Sequence, residues 1–119
     1  MDLGSFSISL TVKDIQASRT FYEKLGFEVV EVKPGASPHP YGERWLLMRN
    51  GQATIGLFQG FFDTNTLTFN PSDVRAVQRV LKERGLKLAM EADENTKGPA
   101  AAMLFDPDRN PILLDQHNE

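Results

Sequence analysis

Hydrophobic and polar positions change period along the amino-terminal part of the chain. Residues 5–12 alternate small hydroxyl side chains with large apolar ones, which is typical of a strand with one packed face. Residues 15–25 then place apolar side chains at intervals of three and four, which predicts a helix with Asp14 as its cap and Gly26 at its end. The predicted buried stripe of this helix consists of Ile15, Ser18, Phe21, Tyr22 and Leu25. A second strand is predicted at residues 27–32, which are rich in Val and Phe.

The first strand is predicted to have two chemically different faces. Its apolar side chains are expected to pack on the helix, and these are Phe6, Ile8, Leu10 and Val12. Its hydroxyl side chains then point away from the helix, toward solvent or a cleft, and these are Ser5, Ser7, Ser9 and Thr11. We expect the functional site on this second face.

The rest of the first half reads as a loop followed by a hairpin. Residues 33–43 are rich in proline and glycine, which predicts little regular structure. Residues 44–50 and 53–58 are short apolar runs, and Asn50 and Gly51 between them favour a tight turn. The first half therefore predicts the order β-α-β-β-β.

The second half repeats this order. Residues 64–70 alternate again, and Asp73 and Gly85 bound a second helix. Its charged residues are expected to form a solvated face, and these are Arg75, Arg79, Lys82, Glu83 and Arg84. Strands are predicted at residues 86–90, 100–105 and 111–116, with a loose polar segment at 91–99 and a turn at 106–110.

The two halves superpose at a shift of 59 residues, which places Asp14 on Asp73 and Gly26 on Gly85. A cap and a terminating glycine that both recur in register indicate an internal duplication. We therefore predict one α+β domain over residues 1–119, made of two βαβββ modules at roughly 1–60 and 61–119.

Composition narrows the classes of function. The 119 residues include no cysteine, which excludes disulfides and thiolate metal sites and favours a cytoplasmic location. A net charge of -3 provides no basic face for phosphates, so nucleic acid is not an expected partner. The sequence has no apolar run of membrane-spanning length, so no membrane partner is expected either.

Two motifs resemble the vicinal oxygen chelate superfamily of glyoxalases, bleomycin resistance proteins and dioxygenases. The first runs from Val12 through Asp14 to Phe27, and the second is the turn at residues 106–112. The resemblance implies curved mixed sheets around a cleft, and a homodimer. In the second motif, Arg109 stands where the family usually has glycine.

Enzymes of this superfamily hold a divalent ion through His and Glu side chains on the first and last strand of each module. By resemblance, these positions fall on Ser7, Thr66, Gly56 (or Ile55) and Leu113. None of these side chains is a good metal ligand. We therefore expect no metal, no cofactor and no catalytic residue.

The same face is expected to bind a small, neutral polar or aromatic molecule. Hydroxyls supply donors and acceptors without charge, Gly56 is expected to leave space, and aromatic side chains are expected to stack on the ligand. The predicted ligand-binding residues are Ser7, Ser9, Trp45, Gly56, Phe58, Thr66, Thr68 and Leu113. Further stacking residues are Tyr41, Phe61 and Phe62. The alternatives are that the hydroxyls form a solvated sheet face, that Gly56 marks a bulge, and that Trp45 belongs to the core.

The leading hypothesis is a metal-free binding protein similar to the bleomycin-binding members, which sequester a ligand without transforming it. One alternative is a glyoxalase-type or dioxygenase-type enzyme whose metal is bound by displaced ligands. The candidates for those ligands are His39, Glu91, Asp115 and His117. Glu31 and Glu43 cannot be placed relative to the cleft from the sequence. A further alternative is a module whose sheet face contacts another protein.

Overall fold

The computed structural model describes residues 1–30 and 44–118. The elements in chain order are β1 (Ser5–Thr11), α1 (Ile15–Lys24), β2 (Glu28–Val29), β3 (Trp45–Asn50), β4 (Ala53–Phe58), β5 (Thr66–Asn70), α2 (Val74–Glu83), β6 (Ala100–Phe105) and β7 (Pro111–Gln116). The predicted α+β class is confirmed. None of the helices in the described ranges is long and apolar enough to cross a membrane. The chain divides into two compact units, one of residues 7–65 and one of residues 1–6 with residues from 66 onward.

The first unit contains a mixed sheet in the order β2-β3-β4-β1. β3 is antiparallel to both β2 and β4, whereas β1 runs parallel to β4. Its buried core consists of Ile15, Met48, Ile55 and Leu57. Ile8, Leu10 and Val12 pack against this core, as their alternation in the sequence predicts. Phe6 does not, since it belongs to the second unit, is 48% exposed, and has its ring beside that of Phe69 in the same unit, with centroids 5.1 Å apart.

Helix α1 begins where the sequence predicts. Asp14 caps it by accepting hydrogen bonds from the backbone N–H groups of Gln16 (3.1 Å) and Ala17 (3.2 Å). The predicted stripe is too wide, because Phe21 and Leu25 are 61% and 59% exposed. At 3.6 residues per turn these two side chains lie at the edge of the arc centred on Ile15, so the sheet does not cover them.

The second unit contains three paired strands in the order β5-β7-β6. β7 is parallel to β5 and antiparallel to β6. Its buried apolar core consists of Val74, Val77, Leu81, Ala92, Ala102, Leu104 and Leu114. The predicted strand at residues 86–90 is wrong. It is reduced to a single bridge in which Met103 N–H donates to the Met90 carbonyl at 2.9 Å.

The two helices repeat each other closely. α1 begins at Ile15 and α2 at Val74, which is the predicted shift of 59 residues (74 minus 15), and both have 10 residues. The glycines that follow them, Gly26 and Gly85, both have positive φ angles, of 104° and 85°. This conformation is favourable for glycine and ends both helices, as the duplicated signals predict.

The segment after α2 is fixed rather than loose, which corrects two predictions. Arg75 is only 6% exposed, so it does not belong to a solvated face. Its guanidinium donates to the carbonyls of Asp93 (2.7 Å) and Gly98 (2.9 Å) and to Thr96 Oγ1 (2.7 Å). Gln78, which is fully buried, bonds both the N–H and the carbonyl of Ala92, at 2.7 and 3.0 Å. These bonds hold the segment against α2, because buried polar groups need such partners.

The turn between β6 and β7 is built around Asp106. Its carboxylate accepts hydrogen bonds from the backbone N–H groups of Asp108 (2.9 Å) and Asn110 (2.8 Å). Arg109 has a φ of 70°, so it adopts a left-handed conformation that glycine would adopt more easily. Its guanidinium lies over the ring of Phe105, 4.8 Å from the centroid, which compensates part of that strain.

Candidate functional site

Strand register places five of the predicted site residues on one face of the sheet in the first unit. Ser9 lies opposite Gly56 in the β1–β4 pair, and Trp45 lies opposite Phe58 in the β3–β4 pair. Gly56 and Phe58 share a face because they are two residues apart in β4, and Ser7 shares the face of Ser9 for the same reason. This face is the one turned away from the core that packs on α1.

Four aromatic side chains meet at one end of this face, and we call them the aromatic cluster: Trp45, Phe58, Phe61 and Phe62. The rings of Trp45 and Phe58 are nearly parallel, with an angle of 10° and centroids 6.1 Å apart. Phe58 also makes edge contacts with Phe61 (5.7 Å) and Phe62 (5.1 Å). Trp45 is half-buried and lies outside the buried core, so the alternative that it is a core residue is not supported.

Gly56 does not leave space for a ligand, which corrects the prediction. A Cβ atom at this position would lie 2.5 Å from Cε2 of Phe58 and 3.3 Å from Cδ2 of Leu47. Because Gly56 has no side chain, the ring of Phe58 can occupy this space and reach its aromatic neighbours.

The segment that contains Phe61 and Phe62 is anchored at both ends. The backbone N–H of Gln59 donates to the carbonyl of Arg44 at 2.7 Å. Thr11 donates its hydroxyl to the carbonyl of Phe62 and its N–H to Oδ1 of Asn65, both at 2.9 Å. These long-range bonds leave no periodic signal in the sequence, and we did not predict them. They hold the backbone of this segment in place, which limits the freedom that ligand binding would have to remove.

The predicted hydroxyl residues are more deeply buried than expected. In the first unit Ser7 and Ser9 are 8% and 2% exposed, and in the second unit Thr66 and Thr68 are 1% and 7% exposed. They are therefore not a solvated sheet face. Among the described residues no buried side-chain nitrogen or oxygen lacks a hydrogen-bond partner. In the aromatic cluster, by contrast, Phe61 is 43% exposed, and Trp45, Phe58 and Phe62 are half-buried.

In the second unit, register places Leu113 opposite Thr68, with Thr66 two residues earlier on the same face. Asp115 follows Leu113 on this face, and its Oδ2 lies 2.9 Å from Nε2 of His117. Two of the four proposed displaced metal ligands are thus neighbours. The third, Glu91, instead pairs with Lys82 at 2.7 Å.

The fourth proposed ligand, His39, lies outside the described residues, as do Glu31, Tyr41 and Glu43. Within residues 1–30 and 44–118, no three His, Cys, Asp or Glu side chains are grouped so that they could hold a metal ion. Zn, Ni and Fe sites are built from such imidazole, thiolate and carboxylate groups. The described residues alone therefore do not form a site of this kind.

Comparisons with known proteins agree with this fold. A family model described as "Glyoxalase/Bleomycin resistance protein/Dioxygenase superfamily" matches residues 4–114. No curated protein matches the chain significantly.

Three solved structures illustrate the likeness of fold. An NAD-dependent benzaldehyde dehydrogenase from Legionella pneumophila is 14% identical with a TM-score of 0.71, over 95% of this chain and 99% of that chain. A superfamily member from Vibrio splendidus 12B01 is 20% identical with a TM-score of 0.61, over 93% and 97% of the two chains. A variant of Streptomyces coelicolor methylmalonyl-CoA epimerase in complex with 2-nitronate-propionyl-CoA is 16% identical with a TM-score of 0.62, over 94% of each chain.

Proposed function

Since the chain belongs to the glyoxalase/bleomycin resistance protein/dioxygenase superfamily, we propose that it binds a small planar aromatic molecule, without a metal ion, at the aromatic cluster. The proposal rests chiefly on the geometry of Trp45 and Phe58. Their parallel rings project from neighbouring strands onto the face that is turned away from the core. Both are half-buried, so they combine a fixed position with a surface that a ligand can reach.

An aromatic ligand suits this cluster better than a strongly polar one. Each ring contact contributes about 0.5–1.5 kcal/mol beyond the burial of apolar area. The hydroxyls of Ser7 and Ser9 on the same face are buried, so they offer a ligand little accessible polar surface. Anchoring of the Phe61–Phe62 segment also lowers the entropy that binding has to remove.

The residues that the resemblance assigns to the superfamily's metal positions support binding without transformation. Ser7 and Thr66 carry hydroxyls there, and Leu113 carries only an aliphatic side chain. Such groups neither bind a divalent transition metal well nor act as a general base at neutral pH. The proposed role is therefore sequestration of the ligand, as in the bleomycin-binding members that the sequence resembles.

The fluorescence of Trp45 tests the proposal directly, because it is the only tryptophan in the chain. A panel of planar aromatic compounds should include some that change its emission saturably. Phe58→Leu removes the parallel ring and should weaken binding of those compounds by about tenfold or more, equivalent to about 1.4 kcal/mol. Phe69→Leu is the matched control, since Phe69 is a half-buried strand aromatic of the second unit.

The binding proposal would fail if no planar aromatic compound changed the Trp45 signal saturably. It would also fail if Phe58→Leu and Phe69→Leu weakened binding equally. Isothermal titration calorimetry on the same compounds separates true binding from optical quenching.

A metal-dependent enzyme is the second candidate, and the contact between Asp115 and His117 is the observation that favours it. The fold also resembles that of a methylmalonyl-CoA epimerase. This candidate predicts stoichiometric metal in the purified protein and a rise in melting temperature with Zn, Ni, Mn or Fe that Asp115→Asn abolishes. A melting temperature that none of these metals changes would eliminate this candidate.

The homodimer and the cytoplasmic location expected from the sequence remain predictions.

A further inference from the structure

We propose that Asn50 is a site of spontaneous deamidation, at which the folded chain converts an asparagine into aspartate and isoaspartate. The proposal concerns the turn between β3 and β4 and does not depend on the proposed function. Asn50 is the only asparagine in the sequence that glycine follows. The other asparagines precede threonine, proline or glutamate, and these are Asn65, Asn70, Asn95, Asn110 and Asn118.

The reaction needs only the chain itself and water. The backbone nitrogen of Gly51 attacks Cγ of Asn50, so that a bond from this nitrogen to Cγ forms and the bond from Cγ to Nδ2 breaks. Ammonia leaves with the proton of the Gly51 N–H, and a five-membered succinimide ring remains. Water then opens the ring at either carbonyl, which gives aspartate or isoaspartate. Glycine favours the attack because it has no Cβ atom and its backbone is permissive. Asn70 and Asn110 cannot react in this way, because the proline that follows them has no N–H.

The turn around Asn50 has room for this reaction. Asn50 pairs with Ala53 at the end of β3, which leaves Gly51 and Gln52 as a two-residue hairpin loop. Asn50, Gly51 and Gln52 are all exposed. Gly51 has a φ of 56°, and apart from its chain neighbours no atom of the described residues lies within 4 Å of the position that a Cβ would occupy. The succinimide ring and the attacking water therefore displace no packed side chain.

A hydrogen bond to the end of α1 slows the reaction. Nδ2 of Asn50 donates to the carbonyl of Gly26 at 2.8 Å. While this bond is formed, it holds the amide against Gly26, and we expect the attack on Cγ to need rotation of the side chain out of it. A hydrogen bond of this kind shifts an equilibrium by up to about tenfold, so the folded chain should deamidate more slowly than the unfolded chain by up to that factor.

Deamidation is expected to release the end of α1. A carboxylate has no N–H to donate to Gly26, and its charge would face the Gly26 carbonyl oxygen. Gly26 ends the helix with a φ of 104°, and the N–H of Phe27 beside it donates to the carbonyl of Tyr22 at 2.9 Å. Isoaspartate also adds a methylene group to the backbone, which disturbs the pairing of Asn50 with Ala53.

Peptide mass spectrometry on the full-length protein, incubated at mildly alkaline pH, measures the reaction. The mass increase from replacing NH2 by OH should appear at Asn50 about tenfold faster than at Asn65 and Asn95, because the branched Cβ of the threonine that follows them hinders the attack. Both aspartate and isoaspartate should form. Gly51→Ala should slow the reaction about tenfold, since the new methyl group hinders the attack but has space in the turn.

Equal rates at Asn50, Asn65 and Asn95, or a rate that Gly51→Ala leaves unchanged, would overturn the proposal. The same incubation in urea tests the bond to Gly26. A faster reaction in the unfolded chain supports its protective role, and equal rates would overturn that role.

Asn50→Asp tests the consequence for α1, because it reproduces one of the two products. Hydrogen exchange of the Phe27 N–H should be about tenfold faster than in the wild type. Asn65→Asp is the matched control, since Asn65 is an exposed asparagine of the same unit whose Oδ1 accepts the N–H of Thr11. Aspartate there adds the same charge and keeps that acceptor. Unchanged exchange in Asn50→Asp, or the same increase in Asn65→Asp, would overturn the proposed release of α1.

Discussion

At the scale of single residues, the position of Phe58 depends on the residue two places before it in β4. Gly56 has no side chain, and the ring of Phe58 occupies the place where one would be. From there the ring contacts Trp45, Phe61 and Phe62. A glycine inside a strand normally weakens it, so its presence here is best explained by the close approach of this ring.

We expect Gly56→Ala to displace the ring of Phe58, because its new Cβ would lie only 2.5 Å from Cε2. The variant should lose about 1–3 kcal/mol of unfolding free energy, as overpacked sites do. It should also change the emission of Trp45 and the near-ultraviolet circular dichroism. Gly85→Ala is the control, since its φ of 85° adds strain but nothing lies within 4 Å of its Cβ position. Identical Trp45 spectra in the two variants would show that Phe58 does not depend on Gly56.

At the scale of elements, a glutamine binds the start of each helix. Oε1 of Gln59, just after β4, accepts the backbone N–H of Ile15 at 2.9 Å. Oε1 of Gln116, at the end of β7, accepts the backbone N–H of Val74 at 2.9 Å. The first N–H groups of a helix have no partner within it, so these bonds complete the caps made by the preceding aspartates. The duplication thus extends to the way in which each helix is attached to the last strand of its half.

Gln116→Met should lower the free energy of unfolding by about 1–3 kcal/mol, because it leaves the N–H of Val74 without a partner. Water cannot replace the bond easily, since Gln116 is 5% exposed and Val74 is fully buried. Gln16→Met is the matched control on the exposed side of α1, where we expect a change within about 0.5 kcal/mol. Urea denaturation measures both. Equal stabilities would show that the Asp73 cap alone is sufficient for α2.

The sequence predicts those elements whose signals are local. Periodicity and caps locate both helices closely, and the runs at 53–58, 100–105 and 111–116 are strands with the predicted bounds. Alternation also places Ser9, Gly56 and Phe58 on a common face. The errors concern contacts between distant residues. Arg75 carries the charge of a surface residue, but backbone carbonyls after α2 satisfy it in a buried position. Likewise, the ring of Phe58 fills the space beside Gly56 only in a particular side-chain rotamer, which the periodicity of the sequence does not specify.

At the scale of the whole molecule, two carboxyl groups connect folding to pH, and both lie in the second unit. The hydrogen bond from Gln78, 2.8 Å long, is the main cause that lowers the pKa of Glu94 from its ordinary 4.5. A hydrogen bond from Arg79 and the positive charge of Arg79 lower this pKa further, whereas partial desolvation raises it. Hydrogen bonds from the side chain and backbone of Asn110 lower the pKa of Asp106 from its ordinary 3.8. Each bond favours the ionised carboxylate in the folded state.

These shifts predict a loss of stability in acid. A carboxyl group whose pKa is lower in the folded state binds fewer protons there than in the unfolded chain. Its contribution is therefore fully present above its ordinary pKa, which is 4.5 for Glu94, and disappears as the pH falls through the lower folded value. At pH values below 4.5, the urea concentration at the unfolding midpoint should therefore decrease. Glu94→Gln should make this decrease shallower and leave the contribution of Asp106 unchanged.

Salt distinguishes the two physical causes of the shift at Glu94. Gln78 is a neutral donor, so its effect should persist in about 0.5 M NaCl, where charges on the surface are strongly screened. The charges of Arg79 and Lys82, which also lower this pKa, should act only weakly under that condition. We therefore expect the difference in acid response between the wild type and Glu94→Gln to remain largely unchanged at high salt. Disappearance of that difference would show that the arginine and lysine, rather than the buried glutamine, couple the segment after α2 to pH.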